Sequence, residues 1–256
     1  MHNTPLISFL VVHYSDTKAL RHLVNELLTI SKSQSFTCEI IIANHSQNPI
    51  QFTEENVKTT QSDNIGFGAG INKIAQQAQS ETLFVCNPDI ENISIDFHQL
   101  LSHLQKPRVG IVAPEVYTPE GKLEKWSGST HTYTPWRILL NNILPYQTHK
   151  ATHPEKMAWI SGAAFAIKRD VFLEVEGFDE KFFLYFEDVD LCRRITKVGY
   201  DIYKDPRYRI VHTSGTSMSS HKEQKYHYDR SMDYYIAKHH NQTALKLIQL
   251  IRTLRR

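Results

Sequence analysis

The strongest constraint on this chain is the alternation, through its first half, of short apolar runs with stretches of helical spacing. Ile7 to Val12 is a short apolar run that reads as a buried strand. Asp16 or Thr17 can cap the helix that follows. In that helix Leu20, Leu23, Val24, Leu27 and Leu28 share one face. Glu39 to Ala43 repeats the strand pattern. Ala69 to Ala78 repeats the helical one, with Ile71, Ile74, Ala75 and Ala78 inward, and Leu83 to Cys86 is a third strand. Phe97, Leu100, Leu101 and Leu104 mark another helix before a strand at Val109 to Ala113. A β-α-β-α-β order predicts an α/β fold whose central sheet is mostly parallel and flanked by helices. Ligands of such sheets lie beyond the carboxyl ends of the strands. The polar clusters His13-Tyr14-Ser15-Asp16, Asn44-His45-Ser46 and Asn87-Pro88-Asp89 all fall there.

The second half is less regular. Residues 114–158 hold Pro114, Pro119, Pro135, Pro145 and Pro154 with Gly121 and Gly128. A hairpin is expected near Glu120-Gly121, then a long mobile segment of the kind that forms lids and binding loops. Trp159 to Ile167 reads as a strand interrupted by Ser161-Gly162. A short helix ends at Gly177, and another runs from near Asp188 to Gly199. A chain of 256 residues, 41% hydrophobic, suits one large domain with a real core. Its net charge of +2 gives no support for a nucleic-acid partner. Cys38, Cys86 and Cys192 are odd in number and scattered, which argues against a disulfide framework and a zinc site. The N-terminus lacks the basic start and apolar run of a secretion signal, and no apolar stretch is long enough to span a bilayer. The expectation is a cytoplasmic protein whose membrane contact, if any, is peripheral.

Four clusters carry chemistry. In Asn87-Pro88-Asp89 the proline ends the strand and turns Asp89 out at the sheet edge. There one carboxylate can share a divalent cation with ligand phosphates, or the tripeptide is a plain turn. Asn64-Ile65-Gly66-Phe67-Gly68-Ala69-Gly70-Ile71-Asn72 has three alternate glycines that let a backbone approach a ligand at a helix N-terminus, or serve close helix–sheet packing. Glu187-Asp188-Val189-Asp190 places three carboxylates in four positions at a helix start, behind the aromatic run Phe182-Phe183-Leu184-Tyr185-Phe186. Acids there can cap the helix, but their mutual repulsion raises some pKa values, and one can act as a general base. His212, after Ile210-Val211, is a candidate metal ligand, phosphate donor or structural hydrogen-bonder. From about Thr243, Leu245, Leu247, Ile248, Ile251 and Leu254 lie among basic residues. They form an amphipathic helix suited to an anionic membrane face or to docking on its own domain.

In order, these motifs resemble the inverting family 2 glycosyltransferases of the GT-A fold, and within them the rhamnosyltransferase-like branch. The similarity runs from Ile7 to about Ser217. Leu10-Val11-Val12-His13-Tyr14 matches the branch's opening strand, and Asn64 to Asn72 its N-x-G-F-x-x-G-x-N segment. Asn87-Pro88-Asp89 stands where other members carry D-x-D. Gly162-Ala163-Ala164-Phe165 through Arg169 and Gly177 to Arg194 match its later blocks, and His212 to Ser217 its final H-x-x-G-x-S. The branch commonly has an acid where this chain has Ala43. Base recognition is thereby left to Asn44, the Asp63 region or backbone groups, or to an unusual nucleotide.

The resemblance implies a GT-A, Rossmann-like fold with a smaller mixed acceptor-side region. Residues 1–113 would bind the nucleotide sugar, 114–220 would form the acceptor-binding and catalytic half, and 221–256 a helical tail. It implies a sugar, rhamnose from dTDP-rhamnose first, moved to a glycan or polyprenyl-diphosphate-linked acceptor in bacterial surface polysaccharide synthesis. The alternatives are galactofuranose, glucose or an N-acetylhexosamine as donor sugar, or a nucleotide-sugar-binding module without catalysis. Asp188 is the implied base, with Glu187 and Asp190 tuning it and Arg193 or Arg194 steadying the cluster. Asp89 and His212 would hold Mg2+ or Mn2+. Tyr14, Asn44, Asn64, Gly66, Asn72 and Asn87 would line the donor. Trp126, Gly162 and Arg193 would face the acceptor, with Trp136 and Arg137 on the lid. The basic C-terminal helix would touch the inner membrane face.

Overall fold

A computed structural model of the chain describes residues 4–137, 150–213 and 220–254. Gly215 and Ser217 of the last motif, residues 138–149 of the expected lid, and Arg255 and Arg256 lie outside the described residues.

The expected strands and helices form where the apolar pattern put them. Strand β1 (Ile7–His13), helix α1 (Thr17–Ser33), β2 (Cys38–Asn44), β3 (Val57–Gln61), α2 (Phe67–Ala75) and β4 (Thr82–Cys86) come first. β1 and β2 are buried at every position, because helices cover both sheet faces. Ile7, Phe9 and Val11 pack with Leu20, Leu23, Val24 and Leu27 of α1. Leu10 and Val12 pack on the opposite face with Ile71 and Ile74 of α2. Asp16 caps α1 by accepting from the amides of Lys18 and Ala19, both at 3.0 Å.

β5 (Ile90–Ser94), α3 (Phe97–Leu104), β6 (Val109–Tyr117), β7 (Gly128–Ser129), β8 (Glu155–Lys156), β9 (Trp159–Ile160) and β10 (Ala164–Lys168) follow. Then come α4 (Arg169–Glu174), α5 (Glu187–Lys197), β11 (Asp201–His212), α6 (His221–His239) and α7 (Gln242–Leu254). The main sheet runs β3-β2-β1-β4-β10-β6-β11-β5, with β8 also on β11, and β7 pairs β9 separately. It is parallel from β3 to β4 and again between β6 and β11. β10 lies antiparallel between β4 and β6. β6 continues to Tyr117, through the expected boundary at 113, so one sheet spans both halves.

The pattern reading passed over the two-residue β7 and β8, inside the segment expected to be a mobile loop, and three longer strands. β3 has one buried residue, Val57, and β5 has two, Ile90 and Ile93, so neither makes an apolar run. β11 carries charges along its length and shifts register between Asp205 and Arg209, around Pro206. A bulge is where a strand tolerates proline. The Glu120-Gly121 hairpin is present: Tyr117 bridges Leu123, and the Gly121 amide donates to Thr118 O at 2.9 Å. Cys38, Cys86 and Cys192 are free and buried. Among the described residues no helix is long and apolar enough to cross a membrane.

Candidate active site

The acidic block sits on a constrained turn. Tyr185 and Phe186 both have positive φ, 68° and 67°, a conformation unfavourable for aromatic residues. Phe186 is the N-cap of α5 and offers no side-chain cap. The three acids occupy the first helical turn behind an N-cap whose side chain accepts nothing. Their environments differ. Asp188 is half-buried. Its Oδ2 accepts from the Gly162 amide at 2.9 Å and its Oδ1 from the Val189 amide at 2.8 Å. Burial raises its pKa, and those amide contacts oppose the rise. Glu187 is buried, and burial followed by the Asp188 charge pushes its carboxyl well up. Both carboxyls are pushed toward the protonated form, and Glu187, with the Asp188 charge added to its burial, is pushed further.

Asp190 goes elsewhere. Expected to tune the base, it is fully buried toward α6, with Oδ1 at 2.6 Å from His239 Nε2 and 2.7 Å from Lys238 Nζ. Arg194 Nε donates to its Oδ2 at 2.7 Å. Burial alone would raise its pKa, but His239, Lys238 and Arg194 outweigh it and hold it at about 2. Arg193, expected on the acceptor side, is drawn the same way. Its guanidinium donates to Tyr235 Oη at 3.2 Å and to His239 O at 3.3 Å. Both residues clamp α6 to α5. Of the two expected arginines, Arg194 is the one that steadies an acid of the block.

The second cluster forms where β4 and β11 end and β5 begins. Asp89 is buried, and its Oδ1 makes no hydrogen bond. His212 Nε2 lies 3.2 Å from that oxygen, close enough for charge attraction but misaligned for a hydrogen bond. Asn87 Nδ2 is 3.3 Å from the same nitrogen. On the ring's other edge, Nδ1 is 3.1 Å from Glu124 Oε2. Burial would lower His212, but Asp89 and Glu124 outweigh it and raise it to about 9. Asp89 and His212 offer an oxygen and a nitrogen donor, a set that fits a divalent cation sharing diphosphate oxygens. Among the described residues no group of three His, Cys, Asp or Glu could hold a metal by itself. The two clusters are joined through backbone: Asp188 accepts from Gly162, and the next residue, Ala163, accepts through its carbonyl from the Asn87 amide at 2.9 Å.

The expected donor residues divide. Tyr14 is half exposed at the tip of β1, and Asn64 and Asp63 are exposed before α2. Asn44 is buried and fully used: its amide donates to Asn48 O and Gln61 Oε1, and its Oδ1 accepts from Ser46. Ala43 lies in the core. The glycines serve packing. A Cβ on Gly66, at φ 94°, would meet Phe183 O at 2.5 Å, and one on Gly68 would meet Phe178 Cβ at 2.8 Å. Asn72 exchanges hydrogen bonds with the Phe178 backbone in both directions, each 2.8 Å, and so braces the aromatic loop. Trp126 is 49% exposed beside the hairpin, and Trp136 is 72% exposed. Sequence reasoning missed Glu124, Lys238 and His239. Glu124 has no spacing relation to His212, and the other two sit on a helix read as a tail, so no local signal marked them.

A sequence model described as glycosyl transferase family 2 matches residues 8–175. The chain is similar to N-acetylglucosaminyl-diphospho-decaprenol L-rhamnosyltransferase of Mycobacterium tuberculosis. The two are 26% identical over 212 residues, covering 72% of this chain and 64% of that protein. The O-antigen biosynthesis protein RfbC of Myxococcus xanthus is 28% identical over 232 residues, 84% of this chain and 18% of RfbC. The chain thus spans less than two thirds of either relative. Among solved structures it is similar in fold to GalNAc-T7 with UDP, GalNAc and Mn2+. The TM-score is 0.63 at 16% identity, over 91% of this chain and 48% of that one.

Proposed function

Because the chain belongs to glycosyl transferase family 2, we propose that it moves a sugar from a nucleoside-diphosphate donor to a hydroxyl of a glycan or lipid-linked glycan, with inversion at the anomeric carbon. The observation that carries this is Asp188: a half-buried carboxylate, aimed by the Gly162 amide and linked through Ala163 to Asn87 beside the Asp89–His212 pair. Rhamnose is the leading donor sugar, supported by the name of the Mycobacterium tuberculosis relative; dTDP is the leading nucleotide by resemblance alone. Ala43 in the core and Asn44 saturated leave base recognition to exposed Asp63, Asn64 and backbone groups. A glycan on a polyprenyl diphosphate is the leading acceptor.

In the reaction, Asp188 takes the proton of the attacking hydroxyl while Gly162 holds its carboxylate in place. Glu187, neutral beside it, keeps a second negative charge away from the base. Phe67, within 3.2 Å of a Cβ at Gly162, walls the site against water. Asp89 and His212 would hold magnesium or manganese. When bound, the ion offsets charge on the leaving diphosphate. The exposed Leu247 and Leu250 of α7, beside Lys246, suit contact with an anionic membrane face, where such an acceptor would reside.

The test is a panel of nucleotide sugars with lipid-diphosphate acceptors and product stereochemistry read by NMR. Transfer with inversion is expected. Donor binding by calorimetry without turnover on any acceptor would overturn the catalytic reading in favour of a binding module.

A further inference from the structure

Glu124 is the acid that the proposed chemistry leaves unused although it touches the metal-binding cluster. It reaches His212 from the far side of the sheet edge, on the hairpin that follows β6. That hairpin is fixed: Tyr117 bridges Leu123, and the Glu124 amide donates to Val116 O at 2.8 Å. Three residues on, Ser127 Oγ accepts from Lys204 Nζ of β11 at 3.1 Å, tying the hairpin to the strand that ends in His212. Both Glu124 oxygens face Nδ1, at 3.1 and 3.4 Å. Asp89 Oδ1 and Asn87 Nδ2 face Nε2.

We propose that Glu124 is a positioning residue for the metal site: it accepts the Nδ1 proton of His212 and so leaves Nε2, the nitrogen beside Asp89, as the ring's electron-pair donor to the cation. This rests on the reading that Asp89 and His212 hold a divalent cation. The two ring nitrogens point away from each other, so a cation between Asp89 and Nε2 does not reach Glu124. Glu124 acts through the ring, by fixing its tautomer and rotation and by making Nε2 more basic. Without it, the imidazole can turn or place its proton on Nε2, and the site loses its nitrogen donor.

Mn2+ titrations followed by electron paramagnetic resonance, with and without dTDP, on the wild type, H212A, E124A and the double variant, test this without reference to turnover. E124A is expected to weaken Mn2+ binding about 10–100-fold. H212A should weaken it at least as much, and the double variant no further than H212A, because both changes remove one donor. H212A weak with E124A at wild-type affinity overturns the role of Glu124 and leaves the metal reading standing. Losses that add in the double variant overturn it too, since Glu124 then acts independently of His212. H212A and E124A both at wild-type affinity mean that His212 is no ligand, and both readings fall. If E124A does not fold, E124Q carries the test. Its amide keeps an acceptor without the charge, so a loss of several-fold is expected, and wild-type affinity overturns the proposal.

Discussion

Glu187 and Asp188 are neighbours in sequence with different work. Glu187 is buried, while Asp188 is half-buried and held by two amides. D188N should lower turnover about 10²–10⁴-fold with little loss of thermal stability, measured by initial rates and melting together. Wild-type turnover in that variant would remove Asp188 as base. Glu187 makes a prediction of opposite kind. Its folded-state pKa lies above the unfolded value, so the folded protein holds a proton the unfolded chain releases. That contribution is complete below about pH 4.5 and is lost as pH rises. E187Q does not titrate there, so its stability relative to the wild type should rise between pH 5 and pH 8, read from urea midpoints. A relative stability that falls over that range would reverse the assignment of the proton. The proton that costs stability at neutral pH is the one that holds the Glu187–Asp188 pair at a single negative charge.

Helix α5 shows how one element serves two purposes. Its first turn carries Asp188, the proposed base, and its other face carries Asp190, the anchor for α6 through His239 and Lys238. D190N should cost about 1.5–3 kcal/mol, because it takes the charge from a fully buried carboxylate that accepts from Arg194 and meets Lys238 and His239; denaturant unfolding measures it. The pH dependence has the opposite sign to that of Glu187. Asp190 is held at about 2, so its contribution is present above the unfolded value near 3.8 and is lost as pH falls from there toward 2. The start of α2 is equally committed. G66A must place a Cβ against Phe183 O from a positive φ, and should destabilise by more than about 1 kcal/mol. The same change should lower activity by shifting the aromatic loop that leads into Glu187; unchanged stability would show that the turn can relax.

At the scale of the whole molecule, the tail belongs to the domain. Met232, Tyr235 and Ile236 of α6 and Ile248 of α7 are in the core cluster, and Arg252 Nη2 lies 2.6 Å from Asp233 Oδ1. A chain ending at Asn241 should melt lower and lose sedimentation with anionic vesicles. L247S/L250S should lose the vesicles but keep the melting point, since those side chains are exposed. Vesicle binding retained in that variant would place the membrane contact elsewhere. The same scale explains what could be read in advance. Covered strands must be apolar throughout, so β1, β2, β4 and β6 were legible in the sequence, as were the helices whose apolar faces repeat every third or fourth residue. So was the acidic block, because three carboxylates in one turn are a local fact. The edge strands β3 and β5 and the charged β11 were not, since their pairing depends on neighbours rather than on their own apolar content. Only the tertiary structure separated the three acids, burying Glu187, leaving Asp188 half-buried on the Gly162 amide and pairing Asp190 with α6. Burial and partner charges decide a carboxylate's role, and those come from α6 and from Gly162, far away in the chain. Only the fold, likewise, brought Glu124 to His212 across 88 residues.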